Sequence, residues 1–244
     1  MSSPTVDQAV LLAAGRGTRM KDLTDDLPKP MLAVKGRPIL EHIVAGLRDA
    51  GVRRVLIVVG YRADVVLAHF GDGSAFGVSV QYVTQVVQDG TGRVVELARD
   101  FAGSQPFVLS YGDILVDPEN YRRLVALGDA EAFISVKHNP GEIAKGGAIF
   151  VNDAFTVTDV REKPGPGDPT SPWYNAGVYA FRQSIFDHTG RLEKSPRGEY
   201  ELTDAIRTLA QTTGRVKAVE LSGSWADVRD PGVLAELNTP TPTA

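Results

Sequence analysis

Short apolar runs alternate with helix-like segments through the first half of the chain, and this alternation constrains the fold more than any other feature. Strand-like runs occur at Gln8–Ala14, Val55–Val59, Val78–Val83 and Phe107–Ser110, and helical spacing occurs at Pro38–Ala50, Ala63–Phe70 and Gly92–Phe101. Such alternation predicts parallel strands joined by crossover helices. We therefore expect an α/β fold: a single Rossmann-like domain with a central, mostly parallel (mixed) sheet flanked by helices.

The second half is less regular but continues the same domain. Strands are predicted at Ala132–Val136, Gly147–Val151, Thr156–Arg161, Tyr174–Phe181 and Val216–Leu221, and a helix at Glu201–Thr212. The Pro/Gly-rich segment 163–172 is interpreted as a surface loop, because strand-like patterns flank it closely. We predict a domain over residues 1–237, ending in the helix-like segment Pro231–Asn238, and a disordered tail over 238–244.

Two glycines follow the first apolar run. The run Val10–Ala14 leads into Gly15 and Gly17, where larger residues would obstruct an approaching ligand. Arg19 and Lys29 follow at short range, and with the bare N–H groups of the turn they could cradle a polyphosphate. Because ligands bind at the carboxyl ends of strands in such sheets, this turn predicts a nucleotide site, with a ligand-free tight connection as the alternative.

The common nucleotide motifs do not account for this turn. A dinucleotide fingerprint requires a third glycine where Met20 stands, so an oxidoreductase that uses a nicotinamide cofactor is disfavoured. No Gly-Lys-Ser/Thr tripeptide of the NTPase type occurs. The four histidines are scattered and none has metal-ligand spacing from another. A third kind of phosphate-binding loop remains.

Composition limits the partners and the compartment. The formal charge of −4 argues against a nucleic-acid-binding surface. The chain contains no cysteine, which excludes disulfides and thiolate chemistry and is compatible with a reducing cytoplasm. The longest apolar run, Ala9–Ala14, is too short to cross a bilayer, and the first residues do not resemble a signal peptide. We expect a cytoplasmic protein without nucleic-acid or membrane partners; a homo-oligomer remains open.

The whole string from Leu12 to Met31 resembles the signature of sugar-1-phosphate nucleotidylyltransferases, or nucleotide-sugar pyrophosphorylases. The resemblance recurs in the family's order from about residue 8 to 237, at Gly90–Gly92, Tyr111–Asp113, Gly147, Glu162–Pro164, Tyr174–Tyr179, Arg197–Asp204 and Trp225–Val228. Its pattern is nearest to glucose-1-phosphate thymidylyl- and uridylyltransferases of the archaeal type. The resemblance implies attack by a sugar-1-phosphate oxygen on the α-phosphorus of an NTP, which gives an NDP-sugar and pyrophosphate.

The resemblance also implies roles for individual residues. Arg19 would hold the triphosphate, Lys29 the phosphates near the reacting centre, and Lys163 the sugar phosphate. The nucleoside would lie against the turn and against a second glycine-containing segment, with contributions from Ala13, Ala14, Gly15, Gly17, Thr18, Gln85, Gly90 and Thr91. Exposed loop cations, and ordinary packing at the strand end, are the structural alternatives.

Asp113 and Asp227 match the family aspartates that hold Mg²⁺, and the magnesium cofactor is implied with them. A turn or helix-capping role is the alternative for each. For the sugar, the resemblance implies that Glu162 accepts hydroxyl groups and that Asn175 supplies an amide. Gly147 and Gly177 would allow close approach, with strand or turn geometry as their alternative.

The sequence constrains the nucleobase and the sugar of the substrates less than it constrains the type of reaction. Gln85 precedes Gly90–Gly92 by the spacing at which uridylyl- and thymidylyltransferases place a glutamine, so UTP or dTTP is favoured, although Arg93 departs from the family pattern. Glucose-1-phosphate is the default sugar. A guanylyl- or other nucleotidylyltransferase acting on another sugar or cyclitol phosphate, and a catalytically silent nucleotide-sugar-sensing subunit, remain alternatives. The Arg197–Asp204 motif is interpreted as a helix start, and no hexapeptide repeat follows Asp227, so acetyl transfer is not expected.

Overall fold

The computed structural model describes residues 6–139, 141 and 146–240. The apolar runs form the strands β1 (Gln8–Ala13), β2 (Ala33–Val34), β3 (Arg37–Pro38), β4 (Arg54–Val59), β5 (Ser79–Thr84), β6 (Phe107–Tyr111), β7 (Ile114–Val116), β8 (Ala132–His138), β9 (Gly147–Val151), β10 (Val157–Glu162), β11 (Trp173–Phe181), β12 (Val216–Glu220) and β13 (Trp225–Asp227).

The helices are α1 (Ile39–Asp49), α2 (Ala63–Phe70), α3 (Thr91–Glu96), α4 (Arg99–Ala102), α5 (Glu119–Val125), α6 (Ile185–Thr189), α7 (Leu202–Thr213) and α8 (Pro231–Asn238), with 3-10 turns at Thr18–Thr24, Lys29–Met31 and Ser74–Phe76. In the described part of the chain, no helix is long and apolar enough to cross a membrane.

Nine of the described strands form one mixed sheet. Its main path runs β10-β9-β11-β6-β1-β4-β5, and β8 joins β11 to β12. The strands from the first half, β6, β1, β4 and β5, are parallel neighbours. The strands from the second half pair mostly antiparallel through β11. The predicted α/β architecture with a flanked central sheet is thereby confirmed.

Apolar side chains pack on both faces of the sheet. Along β1, Ala9 and Leu11 face one core cluster, which also contains α1 and α5 residues, and Val10 faces the other, which contains α3 and α7 residues. Alternation within a strand sends successive side chains to opposite faces. Helix α1 contributes Ile39, Ile43 and Leu47 at helical spacing. The central strands of the sheet are thus covered on both faces, and their ends remain accessible to ligands.

Some predicted boundaries were wrong. The predicted helix Gly92–Phe101 is two helices, α3 and α4, because Leu97 and Ala98 donate their N–H groups three residues back, to Val94 and Val95, and end the first helix. The three-residue strands β7 and β13 and the helices α5 and α6 were not anticipated. Of the predicted disordered tail, residues 241–244 lie outside the described residues, and Asn238 ends α8 with its side chain bonded to Lys35 N at 2.7 Å.

Candidate active site

The turn after β1 and the segment around Lys29 are packed against each other. Gly17 has a φ of 74°, and a Cβ added to it would lie 2.6 Å from Lys29 Cβ. A side chain at position 17 would therefore displace the lysine stem. Lys29 starts a 3-10 turn and is 6% exposed. The glycine allows a buried lysine to run beneath the turn.

Asp113 reaches the same place from β6. Gly112 donates its N–H to Leu12 O at 3.0 Å, and a Cβ added to Gly112 would meet that oxygen at 2.7 Å. This close approach brings the end of β6 against the end of β1. Lys29 Nζ then donates to Asp113 Oδ2 at 2.5 Å. Two oppositely charged groups distant in sequence thus meet at the carboxyl edge of the sheet.

A cleft of about 390 Å³ opens above these groups. It is lined by Leu12, Ala14, Gly15, Gly17, Arg19, Lys29, Pro30, Gln85, Gln88, Gly90, Thr91, Val94, Tyr111, Asp113 and Glu199. Most of the residues predicted to bind the nucleotide therefore share one cavity. Two do not line it: the Ala13 side chain is buried in the core, and Thr18 is exposed at the start of a 3-10 turn.

The segment that carries Tyr200 fixes the turn at Gly90. Tyr200 N donates to Asp89 O, and Gly92 N donates to Tyr200 O, both at 2.8 Å. Gly90 has a φ of 119°, and an added Cβ would lie 2.5 Å from both Tyr200 N and Tyr200 O. The guanidinium of Arg93 lies over the Tyr200 ring, 4.7 Å from its centroid, and outside the cleft. The residue that departs from the family pattern is thus directed toward Tyr200.

A smaller pocket of about 180 Å³ adjoins the cleft. It is lined by Arg19, Tyr111, Asp113, Ile114, Gly146, Gly147, Glu162, Tyr174, Asn175, Gly177 and Asp227. The register of β11 shifts between Asn175 and Tyr179, and Gly177 within this bulge has a φ of 81°. A Cβ on Gly177 would lie 3.0 Å from Ile114 Cγ1 and 3.1 Å from Tyr111 Cδ2. Gly147, Glu162, Asn175 and Gly177, the four residues predicted to contact the sugar, all line this pocket.

Asp113 and Asp227 are brought together by two short strands. Strand β13 pairs with β7, and Val228 N donates to Asp113 O at 3.0 Å. Burial, followed by the charge of Asp113, raises the pKa of Asp227, while Lys29, Arg229 and Arg19 oppose the rise. Two crowded carboxylates suit a hard divalent cation.

Further ligands for such a cation would come from the substrate and from water. Among the described residues, no group of three or more His, Asp or Glu side chains is arranged to hold a metal. Magnesium is commonly held by one or two carboxylates with phosphate oxygens and water completing the shell. The pair of aspartates fits that mode of binding.

Lys163 lines neither the larger cleft nor the smaller pocket. Its backbone has a φ of 43° and its N–H donates to Gly146 O at 2.7 Å. Its side chain lines a neighbouring cavity of about 560 Å³ together with Arg197. Glu162 lines both this cavity and the smaller pocket. Burial and then the charge of Glu201 raise the pKa of Glu162, against Arg197, Lys163 and a hydrogen bond from Thr203.

Sequence reasoning missed several residues that line the two cavities. Tyr111 lines both, and burial raises its pKa to about 12, so its hydroxyl stays protonated near neutral pH. Glu199 lines the larger cleft although its motif was interpreted only as a helix start. The signal was present, because the Arg197–Asp204 motif had been singled out. The position of Glu199 in the cleft could not be derived from the sequence, because it depends on the packing of Tyr200 against the Gly90 turn.

Comparisons with known proteins identify the family of this chain. A family model described as "Nucleotidyl transferase" matches residues 8–241. "Bifunctional protein GlmU" of Methanococcus aeolicus is 34% identical over 238 residues, which cover 95% of this chain and 53% of that protein. The chain thus spans about half the length of curated relatives of this kind.

Two further proteins match along nearly their whole length. "UTP--glucose-1-phosphate uridylyltransferase AglF" of Haloferax volcanii is 33% identical over 228 residues, with 92% of each chain covered. A solved structure of UDP-glucose pyrophosphorylase complexed with UDP-glucose superposes with a TM-score of 0.86 at 22% identity, covering 96% of this chain and 97% of that one. At this identity, the structural match shows a shared fold.

Proposed function

This chain belongs to the nucleotidyl transferase family, and we propose that it transfers a nucleoside monophosphate from an NTP to a sugar-1-phosphate, releasing pyrophosphate. UTP or dTTP is the proposed nucleotide, and glucose-1-phosphate is the proposed sugar substrate. The larger cleft, of about 390 Å³, takes the nucleotide and is called the nucleotide cleft below. The smaller one, of about 180 Å³, takes the sugar and is called the sugar pocket.

One observation carries the proposal: Arg19 and Asp113 line both the nucleotide cleft and the sugar pocket. A transfer between two phosphates requires both anions to approach one point, in line and with their charges neutralised. The shared wall is where the α-phosphate and the sugar phosphate would meet. Lys29, which lies beside Asp113, adds a second cation to that wall.

The attacking group is already a phosphate oxygen, so the chain does not have to generate a nucleophile. Arg19 and Lys29 would stabilise the charge that accumulates on the α-phosphate and on the departing pyrophosphate. Asp113 and Asp227 would hold Mg²⁺, which supplies further neutralisation of the phosphates. The proposed protein contribution is therefore positioning and electrostatic stabilisation.

The choice of substrates rests on two observations. Gln85 lines the nucleotide cleft, and a side-chain amide can both donate to and accept from a pyrimidine edge. The relative that matches this chain over 92% of both lengths is named for UTP and glucose-1-phosphate. Glu162 and Asn175 line the sugar pocket and provide acceptor and donor groups for hydroxyls.

The test is pyrophosphate release by the purified chain with Mg²⁺, across UTP, dTTP, GTP, ATP and CTP and a panel of sugar-1-phosphates. We expect the highest kcat/KM with UTP or dTTP. Gln85→Ala should reduce that preference, whereas Gln81→Ala, an exposed glutamine outside the cleft, should keep it. A clear preference for GTP would contradict the base assignment, and no release with any pair would favour a nucleotide-sugar-sensing role.

A further inference from the structure

Two tyrosine side chains, Tyr179 and the partly buried Tyr111, lie between the nucleotide cleft and the sugar pocket. Tyr179 on β11 is 0% exposed and lines neither cavity. Its hydroxyl donates to the hydroxyl of Tyr111, at 3.3 Å, and the two rings meet edge to face with centroids 5.8 Å apart. Tyr111 lines both cavities. The pair therefore joins the core of the sheet to the wall shared by the two proposed subsites.

Tyr111 is the member of the pair that contacts both subsites. Thr91 lines the nucleotide cleft together with Tyr111, and Asn175 and Gly177 line the sugar pocket together with it. Because Tyr179 lines neither cavity, its hydroxyl can influence the two subsites only through Tyr111.

The neighbours of Tyr111 in the two cavities are held in place by other contacts. The hydroxyl of Thr91 accepts from Leu202 N at 3.3 Å, and the side-chain oxygen of Asn175 accepts from Gly177 N at 3.4 Å. A displacement of Tyr111 would break its hydrogen bond with the buried Tyr179 hydroxyl, which is costly to leave without a partner. Gly177 makes room for the Tyr111 ring, since a Cβ there would lie 3.1 Å from Tyr111 Cδ2.

We propose that the hydroxyl of Tyr179 positions the Tyr111 side chain between the nucleotide cleft and the sugar pocket, so that binding in one subsite and binding in the other are coupled. Tyr179 is a positioning residue in this arrangement, because it touches neither subsite. The inference rests on the proposed function, since it takes the two cavities as the subsites for the NTP and the sugar-1-phosphate.

The test compares Tyr179→Phe with Tyr121→Phe. Tyr121 is buried to the same degree, 1% exposed, but belongs to the core cluster on the opposite face of the sheet and lines neither cavity. We expect Tyr179→Phe to raise the KM for glucose-1-phosphate and the KM for UTP, each about fivefold, the size of effect typical for one lost hydrogen bond. Tyr121→Phe should leave both KM values unchanged, and thermal melting of both variants should show whether the fold is retained.

A double-mutant cycle makes the coupling itself measurable. Tyr179→Phe introduced into Tyr111→Phe should have little further effect on either KM, because the hydrogen bond between them is already lost. Additive effects, or KM values for Tyr179→Phe equal to those of Tyr121→Phe, would overturn the inference while leaving the proposed function intact.

Binding measurements separate the two proposals if the wild-type chain shows no turnover. That result refutes the proposed function, and calorimetric titration with UTP and Mg²⁺ then tests the inference. Weaker UTP binding by Tyr179→Phe than by Tyr121→Phe would support the positioning role. Equal binding by the two variants, or no UTP binding by the wild-type chain, would overturn it.

Discussion

Lys29 Nζ donates to Asp113 Oδ2 at 2.5 Å, in a contact that joins the segment after β1 to the end of β6. The lysine side chain is 8% exposed and the aspartate side chain 28%. A buried cation and a more accessible anion thus share one edge of the nucleotide cleft. This arrangement keeps the lysine charge in place before substrate binds, and it leaves part of the carboxylate open to another cation.

We expect Lys29→Met to lower kcat about a hundredfold, the usual loss for one preorganised electrostatic contact. Methionine keeps the stem that packs under Gly17 and removes only the charge, so the melting temperature should change little. Lys35→Met, outside both cavities, serves as the control. Turnover equal to that of the control would exclude the Lys29 charge from the reaction.

Asp113→Asn and Asp227→Asn should each raise the half-saturating Mg²⁺ concentration at least about tenfold. A loss of metal affinity of about that size follows even from substitution of a residue that only hydrogen-bonds to a metal ligand. The reason is that an amide is a poorer ligand for a hard cation than a carboxylate. Initial rates measured across a magnesium titration give this value directly. Asp153→Asn, at an exposed turn, should retain the wild-type curve. An aspartate whose variant also retains that curve has a structural role.

Gly90→Ala should impair nucleotide binding through a steric clash, in addition to the backbone strain that alanine has at a positive φ. Its φ of 119° resembles the 107° of Gly51, but an added Cβ meets Tyr200 backbone atoms at 2.5 Å at position 90 and nothing within 4 Å at position 51. Comparing Gly90→Ala with Gly51→Ala therefore isolates the clash. We expect a lower melting temperature and a higher KM for UTP in Gly90→Ala. Matching values in the two variants would show that the contact with Tyr200 is dispensable.

Glu162→Gln should separate stability from sugar binding. Burial and the charge of Glu201 raise the pKa of Glu162 in the folded chain. Folding therefore disfavours the ionised carboxylate of Glu162. This destabilisation is absent at pH values below the pKa of Glu162 in the unfolded chain, and it is complete above the pKa of Glu162 in the folded chain. At pH 8 we expect Glu162→Gln to melt at a higher temperature than the wild-type chain, and Glu236→Gln, at an exposed position, to melt as the wild type does.

The same pKa predicts how sugar binding depends on pH. Protonated Glu162 loses acceptor capacity, so the wild-type KM for glucose-1-phosphate should rise as the pH falls through the raised pKa. The substrate phosphate also titrates, but it does so equally for both proteins. The ratio of the wild-type KM to the Glu162→Gln KM therefore isolates the carboxyl group. A ratio independent of pH between 5 and 8 would argue against Glu162 as the group that accepts the sugar hydroxyls.

Local sequence patterns were sufficient to predict most of the regular elements. The apolar run before Gly15 predicted β1, and the spacing of Ile39, Ile43 and Leu47 predicted α1, because burial of one face follows directly from periodicity. The glycine turn, with its nearby cations, was also visible, since glycine adopts a φ such as the 74° found at Gly17 at less cost than residues with a Cβ. The ordered motifs pointed to the family, which the family model confirms.

The assembly of the site could not be derived in the same way. Strands β7 and β13 have three residues each, too few to show a pattern, and they exist because each supplies the other's hydrogen bonds while bringing Asp113 and Asp227 together. Backbone hydrogen bonds hold Tyr200 against the Gly90 turn, although Tyr200 and Gly90 are 110 residues apart in sequence. The conformational preferences of neighbouring residues cannot predict a contact at that separation.

The sequence by itself therefore determined which residues could form strands, helices, tight turns and charged groups, because these depend on neighbours within a few positions. Only the tertiary structure decided which of those groups share a cavity: it placed Arg19 in the walls of both cavities, placed Lys163 in an adjoining cavity and joined Tyr111 to Tyr179. The physical reason is that long-range partners are selected by burial and by satisfaction of hydrogen bonds across the whole sheet.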